Sequence, residues 1–196
     1  RSTLFPYTTL FRSNQRYQRT AHELFDTGTE LTDAHRYPEA LTAFQSALEV
    51  YRRADGIQEE QANCLTNIGV ILRHTGRHEE ALNAYQQALE VYSHADDAGD
   101  GQARCLTNTG NTLRYLGRYE RALSAYQQAL DIYRGLPDTE QEQASCTQSI
   151  ALALDDAGRY EEALETYQDA LDLYYALPGT EQEQADCLAN MGAAVG

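Results

Sequence analysis

The sequence repeats itself every 41 residues. Ala40, Ala81, Ala122 and Ala163 keep that interval, as do Gly76, Gly117 and Gly158, and Cys64, Cys105, Cys146 and Cys187. Residues 62–102 and 103–143 are identical at 22 of 41 positions, which points to duplication. A frame starting at Ala62 puts unit boundaries at Ala21, Ala62, Ala103, Ala144 and Ala185, the last unit being a half repeat. A period this short rules out most globular topologies. Each unit is one supersecondary element, and its apolar face is covered by the units beside it rather than by a central core.

Within a unit the apolar positions follow helical, not alternating, spacing. In the unit from Ala62, a first helix (A) carries Ala62, Leu65, Ile68, Gly69 and Leu72 on one face. A second helix (B) carries Ala81, Leu82, Ala84, Tyr85, Ala88, Leu89 and Tyr92. Gly76 between them suits the left-handed residue that ends a helix. Glu79 and Glu80 open helix B, where the helix dipole favours acids. Pro38 takes the same early turn in the first unit, where a missing N–H costs little. Helix B stops before Pro137 and Pro178 in the later units. Thr139 with Glu142, and Thr180 with Glu183, have capping-box spacing and are expected to cap the next helix A.

These residues spell L-T-N-x-G-x-x-L-x-x-x-G-R-[HY]-E-x-A-L-x-A-Y-Q-Q-A-L, which resembles the tetratricopeptide repeat. The matching positions are Leu65, Gly69, Leu72, Gly76, Ala81, Tyr85 and Ala88 and their equivalents one unit on, and the likeness covers roughly residues 18–196. The resemblance implies an all-α fold, a right-handed α-α superhelix of antiparallel helix pairs. Four pairs would start near residues 21, 62, 103 and 144, with a half repeat from 185. There are departures. Leu65, Leu106 and Leu188, and Thr147, stand where the family has an early Trp, and Ser93 or Arg134 replaces the late Pro. The unit is longer than the usual repeat of about 34 residues, a form similar to the repeats of kinesin light chains and bacterial signalling proteins. The first unit is degenerate, with Glu23 in place of Cys and His35 in place of Gly.

Residues 1–13 share no helical period with the rest. Thr3 to Ser13 resembles the in-frame translation of a sequencing-library adapter, so residues 1–13 are expected to be an artefact, residues 14–196 the array, and the native N-terminus to lie elsewhere. Without Arg1 and Arg12 the net charge goes from −15 to −17. An excess of acids this large argues against nucleic acid or an anionic membrane surface as the main partner, and no run of apolar residues is long enough for a membrane-spanning helix. All 15 basic residues are Arg, a bias that suggests a GC-rich, bacterial source.

No nucleophile motif or phosphate-cradling loop is present, so neither enzymatic activity nor a cofactor is expected of this chain. The adjacent pair Asp155-Asp156 reads as solvated surface. Four cysteines in one phase of successive A helices should lie about 10 Å apart, the distance between packed helices, too far for a disulfide. They are expected to be free, buried thiols, which fits a cytoplasmic protein. His74 and His78 flank the turn at Gly76 and do not share a helical face, so no metal site is expected there.

What remains is the face of helix A not used for packing. It carries Asn63, Thr66, Asn67, Val70, Arg73 and His74 in one unit and Arg104, Thr107, Asn108, Asn111, Arg114 and Tyr115 in the next. In the fourth unit it carries Ser145, Gln148, Ser149, Leu152, Asp155 and Asp156, and in the first His22, Phe25, Asp26, Thr29, Thr32 and Asp33. The stripe is basic and amide-rich at its centre and acidic at both ends. In tetratricopeptide proteins it lines the concave groove, and the resemblance implies that Asn67 and Asn108 bond a peptide backbone. Arg104 matches one basic position of the family's carboxylate clamp, but Phe25, Thr29 and Asn108 at other clamp positions make a full clamp unexpected. The expected function is a protein–protein interaction scaffold or sensor that binds a protein or peptide. Asn67, Arg73, Arg104, Asn108, Arg114 and Tyr115 would be the contact residues, with a preference for a peptide acidic at its centre. The alternatives are a regulatory part of a larger enzyme (a signalling NTPase, peptidase or glycosyltransferase) and a purely structural oligomerisation module. Self-association through the uncapped C-terminal half repeat is a further expectation.

Overall fold

In the computed structural model the described residues are 5–54, 57–96 and 98–194, with side chains described from Asn14 to Ala193. They form nine helices and no strand. The chain divides into two compact units, Arg1–Asp97 and Ala98–Gly196. The first unit holds α1 (Phe5–Asp33), α2 (Tyr37–Tyr51), α3 (Gln58–His74) and α4 (His78–Tyr92). The second holds α5 (Gly99–Tyr115), α6 (Tyr119–Arg134), α7 (Glu140–Asp156), α8 (Tyr160–Tyr175) and α9 (Glu181–Ala194). The odd-numbered helices are the A helices of the sequence pattern and the even-numbered the B helices. The interval of 41 survives in the backbone: A helices open at Gln58, Gly99, Glu140 and Glu181, and B helices at Tyr37, His78, Tyr119 and Tyr160.

The packing phase follows the alanines. Ala40, Ala81, Ala122 and Ala163, and Ala62, Ala103 and Ala144 on the A helices, are all 0% exposed. Methyl-sized side chains there let paired helices approach closely, while Leu65, Ile68 and Leu72 fill the space beside them. The cysteines are buried and free, between 0% and 1% exposed. Two of them donate to helix-B carbonyls, Cys146 Sγ to Tyr126 O at 3.2 Å and Cys187 Sγ to Tyr167 O at 3.3 Å.

Each A-to-B turn is a Schellman motif. Gly76, Gly117 and Gly158 have φ of 78°, 69° and 73°. Arg77 N–H donates to Leu72 O, and Arg118 and Arg159 repeat the bond to Leu113 and Leu154. The first unit makes the same turn with His35 at φ 59°, a left-handed residue without glycine's freedom. The arginine after the turn then pairs with the third residue of helix B: Arg36 with Glu39, Arg77 with Glu80, Arg159 with Glu162.

The expected capping boxes do not form. Thr139 makes no cap bond to a backbone amide of α7; both threonines are buried, their Oγ1 atoms donate backwards, Thr139 to Tyr133 O at 2.6 Å and Thr180 to Tyr174 O at 2.7 Å, and they accept from the side chains of Gln143 at 3.2 Å and Gln184 at 3.1 Å. Gln143 and Gln184 donate to the same two carbonyls. The last turn of helix B has carbonyls with no intrahelical partner, and a buried hydroxyl must donate to something, so these threonines cap the helix behind them. Helix α1 also departs from expectation in its backbone, which is helical from Phe5, within the segment that lacks a helical period. Pro6 sits in the first turn, where its missing N–H is harmless, and no Gly or further Pro interrupts the helix before Gly28. Once nucleated, each added residue gains a hydrogen bond. No helix among the described residues is long and apolar enough to cross a membrane.

Candidate functional site

In the first unit the candidate residues lie on the free face of α3. Asn63, Asn67, Val70 and Arg73 are half-buried and His74 is exposed. Thr66, expected on this face, is 3% exposed and donates to Ala62 O at 2.9 Å, so it belongs to the packing side. Asn63 accepts a hydrogen bond from Tyr92 Oη at 2.8 Å. The side-chain amide of Asn67 makes no hydrogen bond among the described residues. At the end of α3, Arg73 Nη2 lies 3.2 Å from His74 Nε2, and the buried Arg73 Nε has no hydrogen-bond partner. The His74 ring stacks on Tyr37, with centroids 5.4 Å apart and planes 8° apart. Partial burial, then the charge of Arg73, then that of His35 hold the His74 imidazole below its ordinary pKa.

In the second unit the face runs along α5 and α7. Arg104 is exposed and pairs with Asp100 at 3.3 Å. Asn108 is half-buried, with a side-chain amide that makes no hydrogen bond among the described residues. Asn111 accepts from Tyr126 Oη at 2.7 Å, and Gln148 on α7 accepts from Tyr174 Oη at 3.0 Å. Tyr115 is 74% exposed. Arg114 is already engaged: its Nη1 donates to Asp156 Oδ2 at 2.7 Å, a bond between successive A helices. Burial works against its charge, but the bond to Asp156 and the proximity of Tyr126 outweigh that and raise its pKa. The basic centre and the acidic end of the stripe therefore neutralise one another in this unit.

Sequence reasoning missed how the tyrosines arrive. A β-carbon on Gly69 would lie 2.4 Å from Tyr85 Cε1, and one on Gly110 would lie 2.5 Å from Tyr126 Cε1. The helix-B ring thus lies flat across the glycine of helix A, and the hydroxyl of Tyr126 emerges beside Asn111. Burial pushes that phenol up to about 12. In the first repeat Phe44 lies over Gly28 in the same way. In the fourth the small residue is Ala151, and the buried Tyr167 hydroxyl has no partner. The available signal was the pairing of a helix-B aromatic with a helix-A glycine at constant separation. Also unforeseen is a cleft of about 660 Å³ in the first unit, floored by Leu65, Ile68 and Leu72 of α3 and walled by α2 and α4. No group of three or more potential metal-ligating side chains gathers among the described residues.

Family models described as tetratricopeptide repeat match residues 31–94, 61–135 and 107–178. No curated protein matches the chain significantly. Among solved structures, BtubC (BKLC) from P. vanneervenii superimposes with a TM-score of 0.77 at 16% identity, over 94% of this chain and 82% of that one. The apo form of RapI gives 0.76 at 16% identity, over 89% of this chain but 48% of its own length. A Podospora anserina putative kinesin light chain with nearly identical TPR-like repeats gives 0.74 at 11% identity, over 91% and 86%. At such identities the likeness concerns the fold.

Proposed function

The chain belongs to the tetratricopeptide repeat family, and on that premise we propose that it is a protein-interaction module that holds an extended peptide against the free faces of its A helices. The observation that carries this reading is the pair Asn67 and Asn108. Each is half-buried on an A helix of its own unit, 41 residues apart in sequence, with a side-chain amide that no other described group engages. A half-buried amide offers two donors and an acceptor, and an extended backbone supplies the matching groups whatever its sequence. Arg73 on the α3 face of the first unit, and Arg104, Arg114 and Tyr115 on the α5 face of the second, select among peptides. Arg104 and Arg114 already have carboxylate neighbours, so a ligand acid competes with Asp100 or Asp156 there.

Self-association through α9 is the weaker reading. Its Leu188 is 49% exposed, but Glu181 lies seven residues before it on the same side of α9, a helix that also carries Glu183 and Asp186 and no Arg, so two copies would bring like charges together. That RapI extends to about twice the matched length keeps open the reading in which the array is the regulatory part of a longer protein. The test is a displayed peptide library screened against wild type and Asn67→Ala/Asn108→Ala. Selected peptides should bind the double variant at least about tenfold more weakly, or 1.4 kcal/mol, with unchanged helical content. Equal binding would move the ligand off these faces.

A further inference from the structure

The first unit contains a cluster that the amide row does not account for. All five histidines of the chain precede residue 98, and two of them, His35 and His74, flank Tyr37 where α1 and α3 end, with Arg73 beside His74. Tyr37 stands between them, its ring 5.8 Å from that of His35 and 5.4 Å from that of His74. Arg73 Nη2 lies 3.2 Å from His74 Nε2, so that nitrogen accepts and the ring is neutral. The Nε atoms of Arg73 and Arg114 are alike buried without a hydrogen-bond partner, so the two arginines differ in what their terminal nitrogens meet. Arg114, one period on, has the carboxylate of Asp156, whereas no carboxylate among the described residues pairs with Arg73. His35 adds a second imidazole from a left-handed position that three other turns give to glycine. In a chain with a net charge of −15, an arginine that has no carboxylate partner among the described residues and lies beside imidazoles able to take a proton calls for an anion.

We infer that Arg73, His74 and His35 form a subsite for an acidic side chain of the bound peptide, and that seating the acid draws a proton onto His74. This rests on the reading of the A-helix face as the peptide site. A carboxylate takes parallel N–H bonds from a guanidinium. Placed between Arg73 and His74 it replaces the contact in which the neutral imidazole accepts, and it cancels part of the positive field that keeps the ring neutral. Binding and proton uptake then strengthen each other. The other ionisable groups at this end are Asp33 closing α1, the Arg36–Glu39 pair of α2, and, at the start of α4, His78 with the Arg77–Glu80 pair. Both arginines there are engaged by carboxylates, which leaves Arg73 as the cation to be satisfied.

The test follows histidine ring resonances of the full chain by NMR as pH is varied, with His74 assigned from His74→Gln. The probes are the blocked peptides acetyl-Ala-Glu-Glu-Ala-amide and acetyl-Ala-Gln-Gln-Ala-amide at millimolar concentration. The glutamate peptide should raise the His74 midpoint by at least about 0.5 pH unit, equivalent to roughly threefold tighter binding of that peptide below the midpoint. The glutamine peptide should leave it in place, and Arg73→Gln should abolish the shift while the far-ultraviolet spectrum stays native. An unmoved midpoint, or a shift that survives Arg73→Gln, overturns the subsite. The Asn67 and Asn108 side-chain amides separate the two readings. If they move with both peptides while His74 does not, the A-face reading stands without the subsite; if neither amide nor imidazole moves, both readings fall.

Discussion

Replacing Gly110 by alanine tests the crossing of ring over glycine. The added β-carbon would lie 2.5 Å from Tyr126 Cε1, 2.7 Å from Cδ1 and 2.8 Å from Cζ. The ring is 0% exposed and has no solvent side to retreat to. Displacing it is an overpacking cost of about 1–3 kcal/mol. Moving the hydroxyl away from Asn111 loses a further hydrogen bond, about 1 kcal/mol. Alanine's better helix propensity returns about 1 kcal/mol. The net expectation is a loss of about 1–3 kcal/mol, read as a lower urea midpoint at unchanged slope. Gly110→Ala combined with Tyr126→Leu should cost less than the two changes summed, because the smaller side chain makes room for the methyl; a coupling of at least about 0.5 kcal/mol is the scale for touching residues. The hydroxyl bond is separable from the glycine: in the fourth repeat Leu152 stands where Asn111 does, and the Tyr167 hydroxyl has no partner among the described residues. If Gly110→Ala instead stabilises the protein, as glycine-to-alanine changes on exposed helices do, the ring does not lie where this account puts it.

Five other outcomes are expected. Burial pushes the thiols of Cys64 up to about 12 and of Cys146 up to about 11, so a thiol reagent at pH 8 should react only after denaturant is added, and rapid labelling of native protein would contradict this. The same shifts set a sign: unfolded thiols ionise near pH 8.5, so the folded state should lose stability progressively from there towards pH 11 and 12, which thermal melts would reveal. His35→Gly should raise stability by about 0.5–1 kcal/mol by relieving the left-handed backbone, and a lower melting temperature would refute the strain. A double-mutant cycle on Arg114 and Asp156, both part-exposed, should give a coupling of about 0.5–1 kcal/mol that shrinks in high salt; no coupling would mean the pair does not persist in solution. Deleting residues 1–13 should change stability by less than about 0.5 kcal/mol, and a larger loss would show that the opening segment belongs to the fold.

The architecture was legible because period, helical spacing and turn residue agree in the units from Ala62, Ala103 and Ala144. The opening of each B helix follows from Gly76, Gly117 and Gly158, and the packing phase from Ala81, Ala122 and Ala163. Local rules failed where a side chain had two partners within reach. Thr139 has capping-box spacing to Glu142, but spacing does not say whether a buried hydroxyl turns forwards to amides or backwards to carbonyls. Thr66 sits one helical step from Asn67, and a single step decides whether a side chain packs or faces solvent. In the candidate site, residue types were read correctly as polar and basic, but their commitments were not. That Arg114 meets Asp156 depends on how successive A helices stack, which fixes a register of one period plus one residue. The route of Tyr126 over Gly110 depends on two positions 16 residues apart, each unremarkable alone.

The constancy of the interval has a genetic consequence. Because A helices open at Gln58, Gly99, Glu140 and Glu181, and B helices at Tyr37, His78, Tyr119 and Tyr160, an unequal exchange between two copies of the gene, aligned one repeat out of step, would add or remove 41 codons without shifting any helix boundary. Residues 62–102 and 103–143, identical at 22 positions, are the stretch where such misalignment is easiest. Arrays of different length could thus arise in single recombination events. Selection would then act on how many cationic or amide-bearing faces the array presents, rather than on whether it folds.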